Sequence, residues 1–187
     1  MIGYALCGSF CTLRQSLSVL ERLSAAGYEI LPIMSENVYN TDTRFYKKED
    51  LISKVRELTG RQIVHTIKEA EPLGPANPLS ALIISPCTGN TLAKLANGIT
   101  DSAVTMAAKA HLRCDRPLLI TLASNDAMSQ NLGNIAKLLV RKSVYFTPMR
   151  QDDLTGKPHS LVADFSLVES AFDSMMRGKQ PRPLFLE

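Results

Sequence analysis

Two short apolar runs in this chain each stop in a cluster of small polar residues that leads straight into a helical pattern. The first runs from Ile2 to Leu6, followed by Cys7-Gly8-Ser9-Phe10-Cys11-Thr12 and a helix with Leu13, Leu17, Leu20 and Leu23 on one face, ending at Gly27. The second is Leu82-Ile83-Ile84, then Ser85-Pro86-Cys87-Thr88-Gly89-Asn90-Thr91, then the helical Leu92-Ala93-Lys94-Leu95-Ala96. Each reads as a buried strand, a sharp turn and a helix start. Strands joined through helices lie parallel, with right-handed crossovers that place helices on both faces of the sheet. The expected fold is therefore a doubly wound α/β sheet with helices on both sides. Ligands of such sheets bind beyond the carboxyl ends of the strands, and helix starts there favour an anion such as phosphate.

The alternation continues along the chain. Strands are predicted at Tyr28 to Met34, Ala81 to Ile84, Pro117 to Leu122 and Val144 to Phe146, and helices over Lys47 to Thr59, Thr88 to Asn97, Ala127 to Arg141, and from Asp101 or Ser102 to His111. Ser35 to Phe45 reads as polar and irregular, Glu71 to Pro75 as a loop, and Thr147 to Ser160 as a loop. Asp164 is positioned to cap a last helix with Leu161, Phe165, Val168, Phe172 and Met175 on one face. One domain spanning 1–187 is expected from the length.

Composition narrows the function. No apolar run approaches the length of a membrane span, and no basic leader precedes the first strand, so a cytoplasmic protein is expected. A net charge of +3 without a basic stripe argues against nucleic acid. Cys7, Cys11, Cys87 and Cys114 form no CxxC pair, and His65, His111 and His159 are scattered, so no metal site is expected. His111, with Lys109, Arg113 and Arg116, reads as part of a solvated helix end. Neither GxGxxG nor a P-loop follows the first strand, which favours a mononucleotide or simple phosphate over a dinucleotide or ATP.

Pro86-Cys87-Thr88-Gly89-Asn90-Thr91, followed by Lys94-Leu95-Ala96-Asn97-Gly98-Ile99-Thr100-Asp101, resembles the signature of the flavoprotein family of cysteine decarboxylases. Ser124-Asn125-Asp126-Ala127-Met128 resembles a second signature of that family. Thr41-Asp42-Thr43-Arg44-Phe45, Ala70-Glu71-Pro72-Leu73-Gly74-Pro75, Thr88-Gly89-Asn90 and Gln151-Asp152-Asp153 resemble the family of dipicolinate synthase B subunits more closely. The resemblance implies a flavodoxin-like fold, a site for FMN or phosphate, and an A-subunit partner that carries NADP. It further implies an oxidoreductase of sporulation, NAD(P)-linked through the A subunit, that converts a dihydrodipicolinate-type intermediate of the lysine pathway to dipicolinate. Related flavoproteins assemble as trimers or larger rings, which implies a homo-oligomer. One departure matters: the decarboxylases use a histidine after the second strand as base, and no histidine lies between Met1 and Gln62. Two alternatives stay open: a non-catalytic, phosphate- or FMN-binding partner of the A subunit, and a stand-alone FMN protein acting on another carboxylic acid.

By the same resemblance, Gly8, Ser9 and Thr12 would meet the flavin phosphate, and Thr88, Gly89 and Asn90 would line the pocket from the next strand end. Ser35 would join them from the second strand, and Ser124, Asn125 and Met128 would bound the third side. Plain helix capping is the competing explanation for Ser9, Thr12 and Thr88. Asn37 and Arg44 are the candidates for a small dicarboxylate substrate, since a guanidinium can hold a carboxylate bidentately. A surface ion pair with Asp42 or Asp50 would account for Arg44 equally well. The catalytic base is not identifiable from the sequence.

Overall fold

A computed structural model describes residues 1–187. In chain order the elements are β1 (Ile2–Leu6), α1 (Leu13–Ala25), β2 (Ile30–Met34), α2 (Glu36–Asn40), α3 (Lys48–Thr59), α4 (Ile67–Ala70), β3 (Leu82–Thr88), α5 (Gly89–Asn97), α6 (Ala103–Leu112), β4 (Leu118–Ser124), α7 (Leu132–Leu139), β5 (Val144–Phe146), β6 (Met149–Asp153), β7 (Lys157–Ala163) and α8 (Val168–Met176). They build one seven-stranded sheet in the order β2-β1-β3-β4-β7-β6, with β5 also on β4. β2, β1, β3, β4 and β5 are parallel, so the doubly wound α/β reading holds. Strand order reverses between β1 and β3, which opens a crevice at their carboxyl ends.

Period-two alternation assigns the strand side chains to two cores. On β1, Tyr4 and Leu6 join Leu13, Leu17 and Leu20 of α1 and Phe172 of α8 on one face. Ala5 and Cys7 join Leu92 of α5, Val104 of α6 and Ile135 of α7 on the other. A buried polar tie crosses the first face: Tyr4 Oη donates to the Ser16 carbonyl at 2.8 Å, and Ser16 Oγ donates to the Ser85 carbonyl. It pins the start of α1 to β1 and β3, next to the crevice.

The structure departs from the sequence reading in specific places. The predicted loop from Thr147 to Ser160 holds a hairpin, β6–β7, whose β7 pairs antiparallel with β4 at Ala123↔Val162 and Ser124↔Leu161. Its residues are polar because β6 is the edge strand and the first half of β7 pairs with β6 alone, so hydrophobic periodicity carries no signal there. Asp153 Oδ1 closes the turn by accepting from Thr155 N and Gly156 N at 3.1 and 2.8 Å. Leu161 accordingly lies in a strand, and Asp164 caps a 3-10 turn, Phe165–Leu167, ahead of α8. β3 runs on to Thr88 through Ser85-Pro86, with a register shift between Ile84 and Cys87, as expected where proline cannot donate to the ladder. The helix predicted from Ala127 starts only at Leu132. α2 forms inside the segment read as irregular.

Gly60 ends α3 at φ 64°, as its position suggested, and Ser102 caps α6 through a reciprocal box with Thr105. His111 corrects the reading of that helix end as a solvated face. It is fully buried, with Nε2 2.9 Å from the Pro117 carbonyl and Nδ1 without a partner. The small side chains Ala107, Ala108 and Ala110 let α6 sink into the core and take the imidazole with it.

Candidate functional site

The turn after β1 and the start of α5 meet at the crevice. Gly8, Ser9, Phe10, Cys11, Thr12, Thr88, Gly89, Asn90, Ser124, Asn125 and Asp126 line a cavity of about 560 Å³, closed on one side by Asp152, Lys157 and Val162 of the hairpin. A second, wholly polar cavity of about 340 Å³ adjoins it. Its walls share Gly8, Thr88 and Asn90 with the first, and add Ser35, Glu36, Asn37, Thr91, Lys94, Asp101 and Ser102. Both volumes are in the range of small-ligand sites, about 300–1,000 Å³.

The turns differ in what holds them. Thr88 is a true N-cap: its Oγ1 accepts from Thr91 N at 3.2 Å. Ser9 and Thr12 make no side-chain cap; Thr12 Oγ1 bonds back within its own turn, 3.0 Å from the Ser9 carbonyl and 2.9 Å from Ser9 Oγ. The backbone N–H groups at the start of α1 therefore have no side-chain acceptor from either residue. Ser35, at the end of β2, carries the most informative atom: its Oγ is buried and has no hydrogen-bond partner. A buried hydroxyl left unpaired costs about 1–3 kcal/mol, so an acceptor or donor in the small cavity would relieve it.

The far wall is locked by Asp126, which the sequence reading passed over although it sits beside Asn125. Its carboxylate accepts from Ser124 Oγ at 2.5 Å and from Asn131 Nδ2 at 2.9 Å, and Asn131 Oδ1 accepts from Asn134 Nδ2 at 2.9 Å. The Ser124 bond, then that of Asn131, holds the Asp126 carboxyl below the usual range. This cluster is why the chain turns from Asn125 to Asn131 instead of starting a helix. It also packs on the start of α5: a Cβ on Gly89 would come 2.7 Å from Asn131 Nδ2 and Asp126 Oδ1, so only glycine fits.

Other candidates lie elsewhere. Met128 faces a separate apolar groove with Leu132, Leu154 and Phe185, because the turn directed by Asp126 carries it away from the cavity. Arg44 is exposed, lies 4.7 Å from the Phe45 ring and lines neither cavity. Its anticipated partner Asp42 pairs with Lys47 at 3.0 Å instead. Asn37 lines the smaller cavity. The thiols of Cys7 and Cys87 are pushed up by burial, Cys7 to about 11, which makes them inert core residues; Cys11 is exposed in the larger cavity. No histidine lines either cavity; His65 instead stacks on Tyr39 at 3.8 Å.

The Flavoprotein family model matches residues 1–165. The chain belongs to the Flavoprotein family. As a member of that family it is 39% identical over 186 residues to the dipicolinate synthase B subunit of Bacillus subtilis (strain 168), covering 100% of this chain and 93% of the relative. The crystal structure of the dipicolinate synthase B subunit from Bacillus halodurans C superposes with a TM-score of 0.91 at 39% identity, covering 100% of this chain and 95% of that one. The FMN-dependent cysteine decarboxylase SpaF shares the fold, with a TM-score of 0.66, 21% identity and 95% of each chain covered. No helix is long and apolar enough to cross a membrane.

Proposed function

We propose that this chain is the flavin-nucleotide-binding B subunit of a dipicolinate synthase, acting with an NADP-carrying A subunit in the oxidation of a dihydrodipicolinate-type compound to dipicolinate. The observation that carries the cofactor part is the partnerless Ser35 Oγ in a polar cavity that adjoins a larger one at the β1/β3 crevice. The small chamber suits a phosphate: Ser35 would donate to it, and the start of α5 at Asn90, with Lys94 on the same wall, favours its charge. The larger chamber, between Ser9 and Asn125, suits the ring system, so this reading moves the phosphate from Ser9 and Thr12, where the family resemblance put it, to Ser35 and Asn90. Full-length likeness to B-subunit proteins supports the substrate and the A-subunit partnership.

FMN bound there would supply an electron acceptor for the two hydrogens lost as the ring aromatises. The chain's own groups bind and orient. Asn125 offers an amide to the larger cavity, and the Asp126–Asn131 lock keeps that wall in place. Asp126 is held ionised by its hydrogen bonds, which makes it a weak base.

That lack of a base near neutral pH, together with the absence of any imidazole from the cavities, favours a second reading. In it the chain binds flavin and positions the A subunit without transferring a proton itself. Titration of the purified chain with FMN tests the cofactor. A bound, spectrally shifted flavin is expected, and no binding at tens of micromolar contradicts the proposal. Dipicolinate formation by the A subunit, with and without this chain, tests the partnership. Full activity of the A subunit alone refutes it.

A further inference from the structure

We propose that Lys157 is the residue that selects an anionic substrate at the larger cavity, and that Asp152 holds it over the opening until a substrate carboxylate replaces it. The proposal rests on the functional reading above and names the group that would meet the dicarboxylate. Among the residues lining the cavity, Lys157 is the only cation, facing the two carboxylates Asp126 and Asp152. Asp126 is already engaged by Ser124 and Asn131. Asp152 is engaged by Lys157 alone, Nζ to Oδ2 at 2.6 Å, and this pair is half exposed, 51% for the lysine and 35% for the acid. A dianion entering the cavity thus meets two negative groups and one ammonium, and only the ammonium can be freed.

The exchange is inexpensive. Water screens an exposed Lys–Asp pair and leaves it little net stability, so a better-placed carboxylate competes with it readily. The hairpin supports such a role mechanically. It is tied to β4 at Ala123↔Val162 and Ser124↔Leu161, its turn is closed by Asp153, and Lys157 pairs with Asp153 in the ladder, so Lys157 starts β7 beside the register shift that holds Asp152. Arg44, the cation that the sequence suggested for this task, is not at the cavity.

The two side chains give effects of opposite sign, which a merely structural ion pair would not. The experiment is calorimetric titration of the FMN-treated chain with pyridine-2,6-dicarboxylate, for wild type, Lys157→Ala, Lys157→Arg and Asp152→Asn. Lys157→Ala is expected to weaken binding about tenfold or more, in line with loss of a charge-assisted hydrogen bond. Lys157→Arg should retain most of it, and Asp152→Asn should tighten it severalfold. Equal weakening by Lys157→Ala and Asp152→Asn, unchanged binding in Lys157→Ala, or no binding by wild type would each overturn the assignment. FMN uptake in the same samples separates this from the functional reading: normal uptake with no dicarboxylate effect removes Lys157 and leaves the flavin site standing.

Discussion

The two walls of the larger cavity are built on different principles. One wall, from Thr88 to Asn90 and from Ser124 to Asn131, grows out of buried parallel strands and is locked by a carboxylate with three hydrogen bonds from Ser124 and Asn131. The other, β6–β7, is a polar hairpin at the sheet edge whose tip residue Leu154 is 72% exposed. The contrast teaches a division of labour. Geometry that must not move is placed where core packing fixes it, and the group proposed to meet a variable guest sits where exchange with water is easy.

Removing core beneath the fixed wall gives the largest expected effect. Ile120→Ala in β4 should destabilise by about 2–5 kcal/mol, measured by urea denaturation, because the side chain is fully buried. Loss of less than about 1 kcal/mol would mean that the wall is not embedded as described. Gly89→Ala comes next. The added methyl overlaps Asn131 and Asp126, so about 1–3 kcal/mol should be lost along with flavin binding, and thermal melting with FMN titration reads both.

A third test is pH dependence. Burial lowers the His111 pKa, so the unfolded chain binds the proton more tightly than the folded one. The resulting stability is present above the unfolded value of about 6.5 and is lost as pH falls below it. His111→Leu should flatten the decline between about pH 7 and 5, and an unchanged slope would remove the imidazole from that decline. The smallest effect belongs to the hairpin: Leu154→Ala should change stability by less than about 0.5 kcal/mol. A larger loss would show that the hairpin is as integral as the strands it joins.

The same contrast decides what could be read from the sequence. β1, α1, β3, α5 and β4 announce themselves because their burial imposes the apolar runs and helical spacing. The turn residues Gly8, Ser9, Thr88, Gly89 and Asn90 follow from where those elements end, Ser124 and Asn125 came from the family resemblance alone, and all seven line one cavity. Lys157 and Asp152 were out of reach, since an edge hairpin of polar residues carries no periodicity that brings them to the sheet end. His111 misled because its helix is rich in alanine and sinks further than its neighbouring charges suggest. Met128 was carried off by the turn that Asp126 organises, a network that depends on contacts between residues up to five apart in a loop and on nothing periodic.

The central claim is that one flavin nucleotide occupies both chambers with its phosphate against Ser35. The most direct measurement compares the affinities of FMN and riboflavin for wild type and Ser35→Ala by flavin fluorescence. A hydrogen bond to a charged group contributes about 1.5–3 kcal/mol, so Ser35→Ala should reduce FMN affinity roughly ten- to hundredfold while leaving riboflavin nearly unchanged. Equal loss for both ligands, or none for FMN, would contradict the account.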